Sequence, residues 1–275
     1  MRRRAFLFGS IALQAASGSI RVGCQTRAYG SPIRDRARLL GVLEDLVAAG
    51  YVGFETNHQS LAHSFAAPDP MRREIQSRRI ALIGLHFSAG LYDPAAIARE
   101  QAQLLEVARA TRVLGGSHLV LSSGPVPADE IERRCRELNR AGEALRAMDV
   151  RLCIHNHTHE LEDGARQLRT LLDATDPALV SMVLDVGNRF PPEYPALQAA
   201  RGHLGRIAGF HLRDTVAGQE VLMGKGAFDF AALATLLHEA NWSGWLIVEV
   251  NRRDDVPSRE MVEHCRAHLR QTMRV

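Results

Sequence analysis

Aromatic residues make up only 5% of the 275-residue chain, too few for a base-stacking platform. No run of 18 apolar residues occurs, which excludes a membrane-spanning helix from the body of the chain. Cysteine is scarce. Cys24, Cys135, Cys153 and Cys265 form neither a C-x-x-C pair nor a Cys/His zinc spacing. That excludes a disulfide-dense mini-fold and predicts four free, buried thiols. Lysine is almost missing: Lys225 stands alone against 33 arginines. Excess charge is missing too. Lys+Arg total 34 against 31 for Asp+Glu, and residues 1–18 hold Arg2, Arg3, Arg4 and no acid, so the rest balances at 31 against 31. A neutral body argues against general nucleic-acid affinity, which needs several cations on one face. The remaining composition, 46% hydrophobic and 24% charged, is that of a globular protein long enough for a large core.

The first residues, MRRRAFLFGSIALQAASGS, combine a basic start, a short apolar stretch and small residues near 15–19, a secretory pattern. Arg3-Arg4-Ala5-Phe6-Leu7 resembles the twin-arginine export signal R-R-x-F-L. Residues 1–18 are therefore expected to be a signal segment and the protein to be exported or periplasmic. The alternative is a basic tail on a cytoplasmic protein.

Downstream, short apolar runs recur: Ile20–Thr26, Val52–Thr56, Ala81–His86, Ser117–Ser122, Val150–Asn156, Ser181–Val186, Ile207–Leu212 and Trp245–Val250. Most are continuous rather than alternating, as in parallel strands covered on both faces. Amphipathic stretches lie between them. Asp35–Ala49 stops at Gly50, and Asp69-Pro70 and Asp93-Pro94 each place a capping residue before a proline. The strand starts are spaced 32, 29, 36, 33, 31, 26 and 38 residues apart. Eight such units give a single (β/α)8 TIM barrel over residues 19–275, an α/β fold of about 250 residues. A doubly wound sheet is the second choice. The turn after the first strand, Thr26–Pro32, lacks the G-x-G-x-x-G such a sheet usually carries there.

In a barrel the chemistry sits at the C-terminal ends of the strands. Glu160, Asp185, His211 and Glu249 fall at or just beyond that end of four successive strands. Each has an ordinary reading alone: a helix-start acid, a turn cap, a core histidine, an ion-paired carboxylate. Together they offer three carboxylates and an imidazole, a set suited to a divalent ion, Mn²⁺ first, with Mg²⁺, Co²⁺ or Zn²⁺ as alternatives. Glu249 is the most telling, because an unpartnered carboxylate within Trp245–Val250 would be costly.

The pieces H-N-H-x-x-E (155–160), L-D-V-G-N (184–188), F-H-L-R-D (210–214), G-K-G-x-x-D-F (224–230) and V-E-V (248–250) resemble the sugar phosphate isomerase/epimerase family of xylose isomerase-like barrels. The resemblance spans the barrel, and its specific part is residues 150–250. It implies that Glu160, Asp185, His211 and Glu249 bind one divalent ion and that Glu160 and Glu249 act as an acid/base pair. The implied chemistry is enediolate formation beside a metal-polarised carbonyl, followed by isomerisation, epimerisation or β-elimination. A metal-dependent sugar isomerase or epimerase is the leading expectation. A dehydratase or lyase acting on a keto-sugar or inosose is second, followed by a nuclease similar to endonuclease IV and a non-catalytic sugar-binding barrel. The expected partner is a small sugar or keto-sugar, without nucleic acid or membrane span, in a monomer or an oligomer.

Three departures matter. Ketose 3-epimerases of this family usually carry histidine three residues after the aspartate, where this chain has Asn188. Lys225 stands between two glycines where an acid is common, and Arg213 where lysine is common. Both are candidate contacts for a substrate oxygen, as are His157, His86, Asn188 and Glu55. Period two puts His155 and His157 on one face of the fifth strand, with His155 the deeper and the better suited to the core.

Overall fold

The computed structural model describes residues 19–275. The expected export signal at 1–18 lies outside the described residues. Eight parallel strands close into a barrel: β1 (Ile20–Gln25), β2 (Gly53–Asn57), β3 (Ala81–Ser88), β4 (His118–Ser122), β5 (Arg151–His155), β6 (Val180–Asp185), β7 (Ile207–Leu212) and β10 (Gly244–Val248), with β10 between β1 and β7. The remaining two, β8 (Asp214–Val216) and β9 (Gln219–Val221), form an antiparallel hairpin after β7. The expected (β/α)8 barrel is thus the fold.

The barrel is wrapped by α1 (Arg36–Ala49), α2 (His58–Leu61, one turn), α3 (Asp69–Ser77), α4 (Ile97–Val113), α5 (Ile131–Arg146), α6 (Glu162–Ala174), α7 (Ala196–His203), α8 (Phe230–Glu239) and α9 (Ser258–Met273). In α1, Leu39, Val42, Leu43 and Leu46 recur at helical spacing and are buried against the sheet. The Asp35 carboxylate caps its start, accepting from the Arg38 amide at 2.7 Å. The helix predicted from Asp93 begins at Ile97 instead. Asp93 Oδ1 accepts from the Ala95 amide at 2.9 Å and its carbonyl from Ala96 and Ile97, closing a turn first. All four cysteines are free and buried. Among the described residues, no helix is long and apolar enough to cross a membrane.

Period two sorts the strand residues into inward and outward sets, and a contact across the barrel fixes which set is inward: Glu55 on β2 meets His211 on β7. The inward residues form three layers. Arg21, His118, Arg151, Ser181 and Trp245 lie at the N-terminal end. Ile83, Val120, Cys153, Val183 and Ile247 make a buried apolar plug. Gln25, Glu55, His86, Ser122, His155, Asp185, His211 and Glu249 crown the C-terminal end. The plug is narrow because Trp245 reaches across toward β2. A Cβ on Gly53 would lie 2.6 Å from the indole and 2.9 Å from Ile83. Gly53→Ala is therefore expected to destabilise the protein by about 1–3 kcal/mol, read as a lower urea midpoint. An unchanged midpoint would mean that the indole has room to move.

Candidate active site

His155 ends β5, Asp185 ends β6, His211 is the penultimate residue of β7 and Glu249 follows β10 directly. The Glu249 amide donates to Leu212 O at 3.0 Å, so the ladder continues one residue and the side chain keeps the inward alternation. One ligand atom from each of these four residues lies within 4.8 Å of the others, and all four side chains are buried. His211 Nδ1 is 2.9 Å from Glu249 Oε2, and His155 Nε2 is 3.4 Å from Glu249 Oε2 and 3.5 Å from Asp185 Oδ2.

The surrounding residues hold this group in place. The Asn156 side chain points to the other face of β5 and brackets the Asp185 backbone, accepting from its amide at 2.9 Å and donating to its carbonyl at 3.1 Å. The Gly187 amide donates to Asp185 Oδ1 at 2.8 Å. Glu55, fully buried, lies 3.0 Å from His211 Nε2 and 3.2 Å from His86 Nδ1, and His86 Nε2 lies 3.1 Å from the Ser122 hydroxyl. Burial would raise the Glu55 carboxyl, but His211 and His86 outweigh it and hold it at about 2. Burial likewise opposes ionisation of Glu249, and the adjoining His211 and His155 bring its pKa well below the usual range. Both imidazoles respond in kind. Burial alone would lower them; Glu55 and Glu249 raise His211, while Asp185 and Glu249 raise His155.

The group fits a metal ion. His155 Nδ1 is buried with no partner, and His155 Nε2 and His211 Nδ1 approach the carboxylate oxygens without hydrogen-bond alignment, an arrangement rare in a folded interior unless something else engages those nitrogens. Two imidazoles and two carboxylates form a mixed donor set, more nitrogen-rich than the three carboxylates and one histidine expected. It favours Zn²⁺ or Co²⁺ over Mg²⁺. Glu55 behind His211 completes the carboxylate–histidine pairing that fixes a ligand's orientation. Glu55→Gln is expected to weaken metal affinity by about 10–100-fold, measured by competition with a chelating dye. Unchanged affinity would reduce Glu55 to a packing residue.

Sequence reasoning assigned His155 to the core and Glu160 to the metal. The structure brings His155 into the four-residue group and places Glu160 beside it, in a second cluster with His157 and His159. Glu160 closes the turn after β5: its Oε2 accepts from the His157 amide at 2.7 Å and lies 3.1 Å from His159 Nε2. Its Oε1 faces Ser123 at 3.4 Å and Arg134 at 3.8 Å. Arg134, from α5, is 1% exposed and also donates to Ser123. No motif marked Arg134, which sits in an arginine-rich helix like many others.

Of the other candidates, Arg213 binds both oxygens of Asp185, with Nε 3.2 Å from Oδ1, and has Glu220 at 3.8 Å. Asn188 donates to Asn156 O at 2.8 Å. Lys225 is exposed on a turn and lines neither cavity at the barrel mouth. The glycines around it serve Asp214. That buried carboxylate accepts from the amides of Thr215, Gly224, Gly226 and Phe228 at 2.9–3.2 Å. Gly224 has φ +85°, and a Cβ on Gly226 would collide with Asp214 Oδ1. The G-K-G motif is thus the cradle of Asp214. Asp214→Ala should unmoor this loop and cost about 1–3 kcal/mol, visible as early proteolysis near 222–228; intact loop protection would contradict it.

The mouth opens into a cavity of about 180 Å³ whose lining includes Gln25, Asn57, His86, Ser122, His157 and Glu249. A second, of about 460 Å³, lies beside Asn188, Arg213, Glu220 and Asn251. Glu249 is the one carboxylate lining the first; Glu160 lines neither.

With this geometry in place, similarity to known proteins becomes informative. A family model described as a xylose isomerase-like TIM barrel matches residues 43–272, and the chain belongs to that family. The inosose dehydratase of Bacillus licheniformis is 24% identical, covering 78% of this chain and 81% of that protein. L-ribulose 3-epimerase shares the fold with a TM-score of 0.79 at 18% identity, covering 93% of this chain and 95% of that one. An IolI protein with a bound zinc atom does so with a TM-score of 0.73 at 16% identity, covering 92% and 98%.

Proposed function

We propose that this protein is a metal-dependent dehydratase acting on a compact polyol-derived ketone of the inosose type. Isomerase or epimerase chemistry leads the sequence reading and a lyase stands second. One observation reverses that order. Epimerisation calls for two proton-transfer groups on opposite faces of one carbon, yet Glu249 is the one carboxylate lining the smaller mouth cavity, and Glu220 lines the larger one beside Arg213. Glu160, its expected partner, is turned toward Arg134 and Ser123. Elimination needs one base and one acid near the departing hydroxyl. Asn188 in place of histidine and the similarity to inosose dehydratases support the same choice.

His155, Asp185, His211 and Glu249 would hold the ion. When bound, it would polarise the substrate carbonyl and offset charge developing on its oxygen. Glu249 accepts the proton from the carbon next to the carbonyl. The hydroxyl on the following carbon leaves as water with a proton donated by His86, which lines the cavity and has Glu55 3.2 Å behind it. Gln25, Asn57 and Ser122 meet the other hydroxyls. A cavity of about 180 Å³ is small beside typical ligand sites of roughly 300–1,000 Å³, which suits a single ring.

We read residues 1–18 as an export signal on Arg3-Arg4-x-Phe6-Leu7 alone. Export would suit scavenging of free rather than phosphorylated polyols.

The deciding experiment incubates the zinc- or cobalt-loaded protein with an inosose in D₂O and follows the product by mass spectrometry. Loss of one water from the substrate is the expected outcome. Deuterium incorporation with no loss of water would replace this proposal with an epimerase.

A further inference from the structure

We propose that the N-terminal mouth of the barrel, opposite the candidate active site, is a binding pocket for a small phosphorylated molecule gripped by Arg21, Arg146 and Arg151. The cavity there is about 750 Å³, larger than either cavity at the C-terminal mouth. Arg21 and Arg151 belong to the inward layer of the strands, and Arg146 reaches the rim from the end of α5. The apolar plug of Ile83, Val120, Cys153, Val183 and Ile247 separates this pocket from the metal-binding group.

The cations are uncompensated. Many arginines on this protein pair with a neighbouring acid, for example Arg36, Arg78 and Arg133. Among the described residues, none of the three pocket arginines has a carboxylate within 4.0 Å. The one acid lining the cavity, Asp149, faces Arg112 at 3.7 Å. Residues 1–18 contain no acid that could serve. The Arg21 Cζ lies over the Trp245 ring, 4.0 Å from its centroid, a contact that positions the guanidinium without neutralising it. The field reaches His118, paired with Arg151 across β4 and β5. Burial and then Arg151 and Arg21 push its imidazole down to about 4.

Gathering like charges in one concavity is unfavourable unless an anion completes it. Planar guanidinium groups suit phosphate oxygens, and Ser117 and Ser181 add hydroxyls. Pro177, Ala178 and Leu179 form an apolar wall for a carbon skeleton. A phosphomonoester or diphosphate of a small metabolite fits both the charge and the volume.

Trp245 provides the readout. The chain has two tryptophans, so Trp242→Phe leaves Trp245 as the only one. That protein is titrated with inorganic phosphate and with pyrophosphate, with ionic strength held constant by NaCl. A saturable change in Trp245 fluorescence is expected, tighter for pyrophosphate. It should weaken about tenfold or more in the Arg146→Gln/Arg151→Gln variant, whose two positions are exposed, and persist in Asp185→Asn. A response equal to that of NaCl, or full affinity in the double arginine variant, overturns the proposal. So does loss of the response in Asp185→Asn, which would place the anion on the metal. If Trp242→Phe fails to fold, titration calorimetry on the unsubstituted protein and on the arginine and Asp185 variants measures the same affinities, with the same outcomes deciding.

Discussion

Glu249→Gln is expected to lower turnover of the inosose substrate by about 10²–10⁴-fold and also to lower the urea midpoint, because the buried His211 and His155 lose the carboxylate that favours their charged forms. Glutamine keeps the volume and removes the charge, so the test isolates the carboxylate. Glu249 sits at the point where the ladder between β7 and β10 ends, buried, 2.9 Å from one imidazole and 3.4 Å from another. In the folded protein those imidazoles stabilise its ionised form. The substitution removes both a proton acceptor and a metal donor, so two quantities are read together. Metal per protein, by elemental mass spectrometry, reports the ligand role, and turnover at saturating metal reports the base. A variant that still binds metal but does not turn over would locate the loss in proton transfer. A variant with full turnover would remove Glu249 from the chemistry and the proposed mechanism with it.

The barrel was legible because its signal is redundant. Each strand is a short continuous apolar run between stretches of helical period, so an error of a residue at one end leaves the repeat intact. The hairpin Asp214–Val221 was missed for a local reason. Its turn is Ala217-Gly218, both at positive φ, without the Asn-Gly or Asp-Gly that announces such turns. At the site, strand-end position alone gathers Asp185, His211 and Glu249. At 155–160 three histidines and a glutamate compete within six residues, and backbone direction decides which side chain joins that group. His155 ends the strand and continues its alternation. By Glu160 the chain has entered a tight turn, and the carboxylate folds back onto the His157 amide. Charged residues at the end of an apolar run can be read as a site; their partners from distant helices cannot, and Arg134 is the example.

Arg134 leads to the second large effect. Its guanidinium is 1% exposed, with Glu160 at 3.8 Å, and its Nε has no hydrogen-bond partner. Burial pushes the guanidinium's pKa down, and Glu160 is the main group opposing that. Removing the negative charge strands a buried cation. Glu160→Gln is therefore expected to cost about 3–5 kcal/mol of stability, measured by urea unfolding. Arg134→Met in the same chain should restore much of it, since an apolar replacement of a buried pair is often tolerated where a half-pair is not. The two glutamates then separate by what rescues them: Arg134→Met restores stability to Glu160→Gln and does nothing for Glu249→Gln. If Glu160→Gln leaves the midpoint within about 0.5 kcal/mol and abolishes turnover, Glu160 is a catalytic carboxylate. The acid/base pair implied by the family resemblance, and with it an epimerase, would then return to the front.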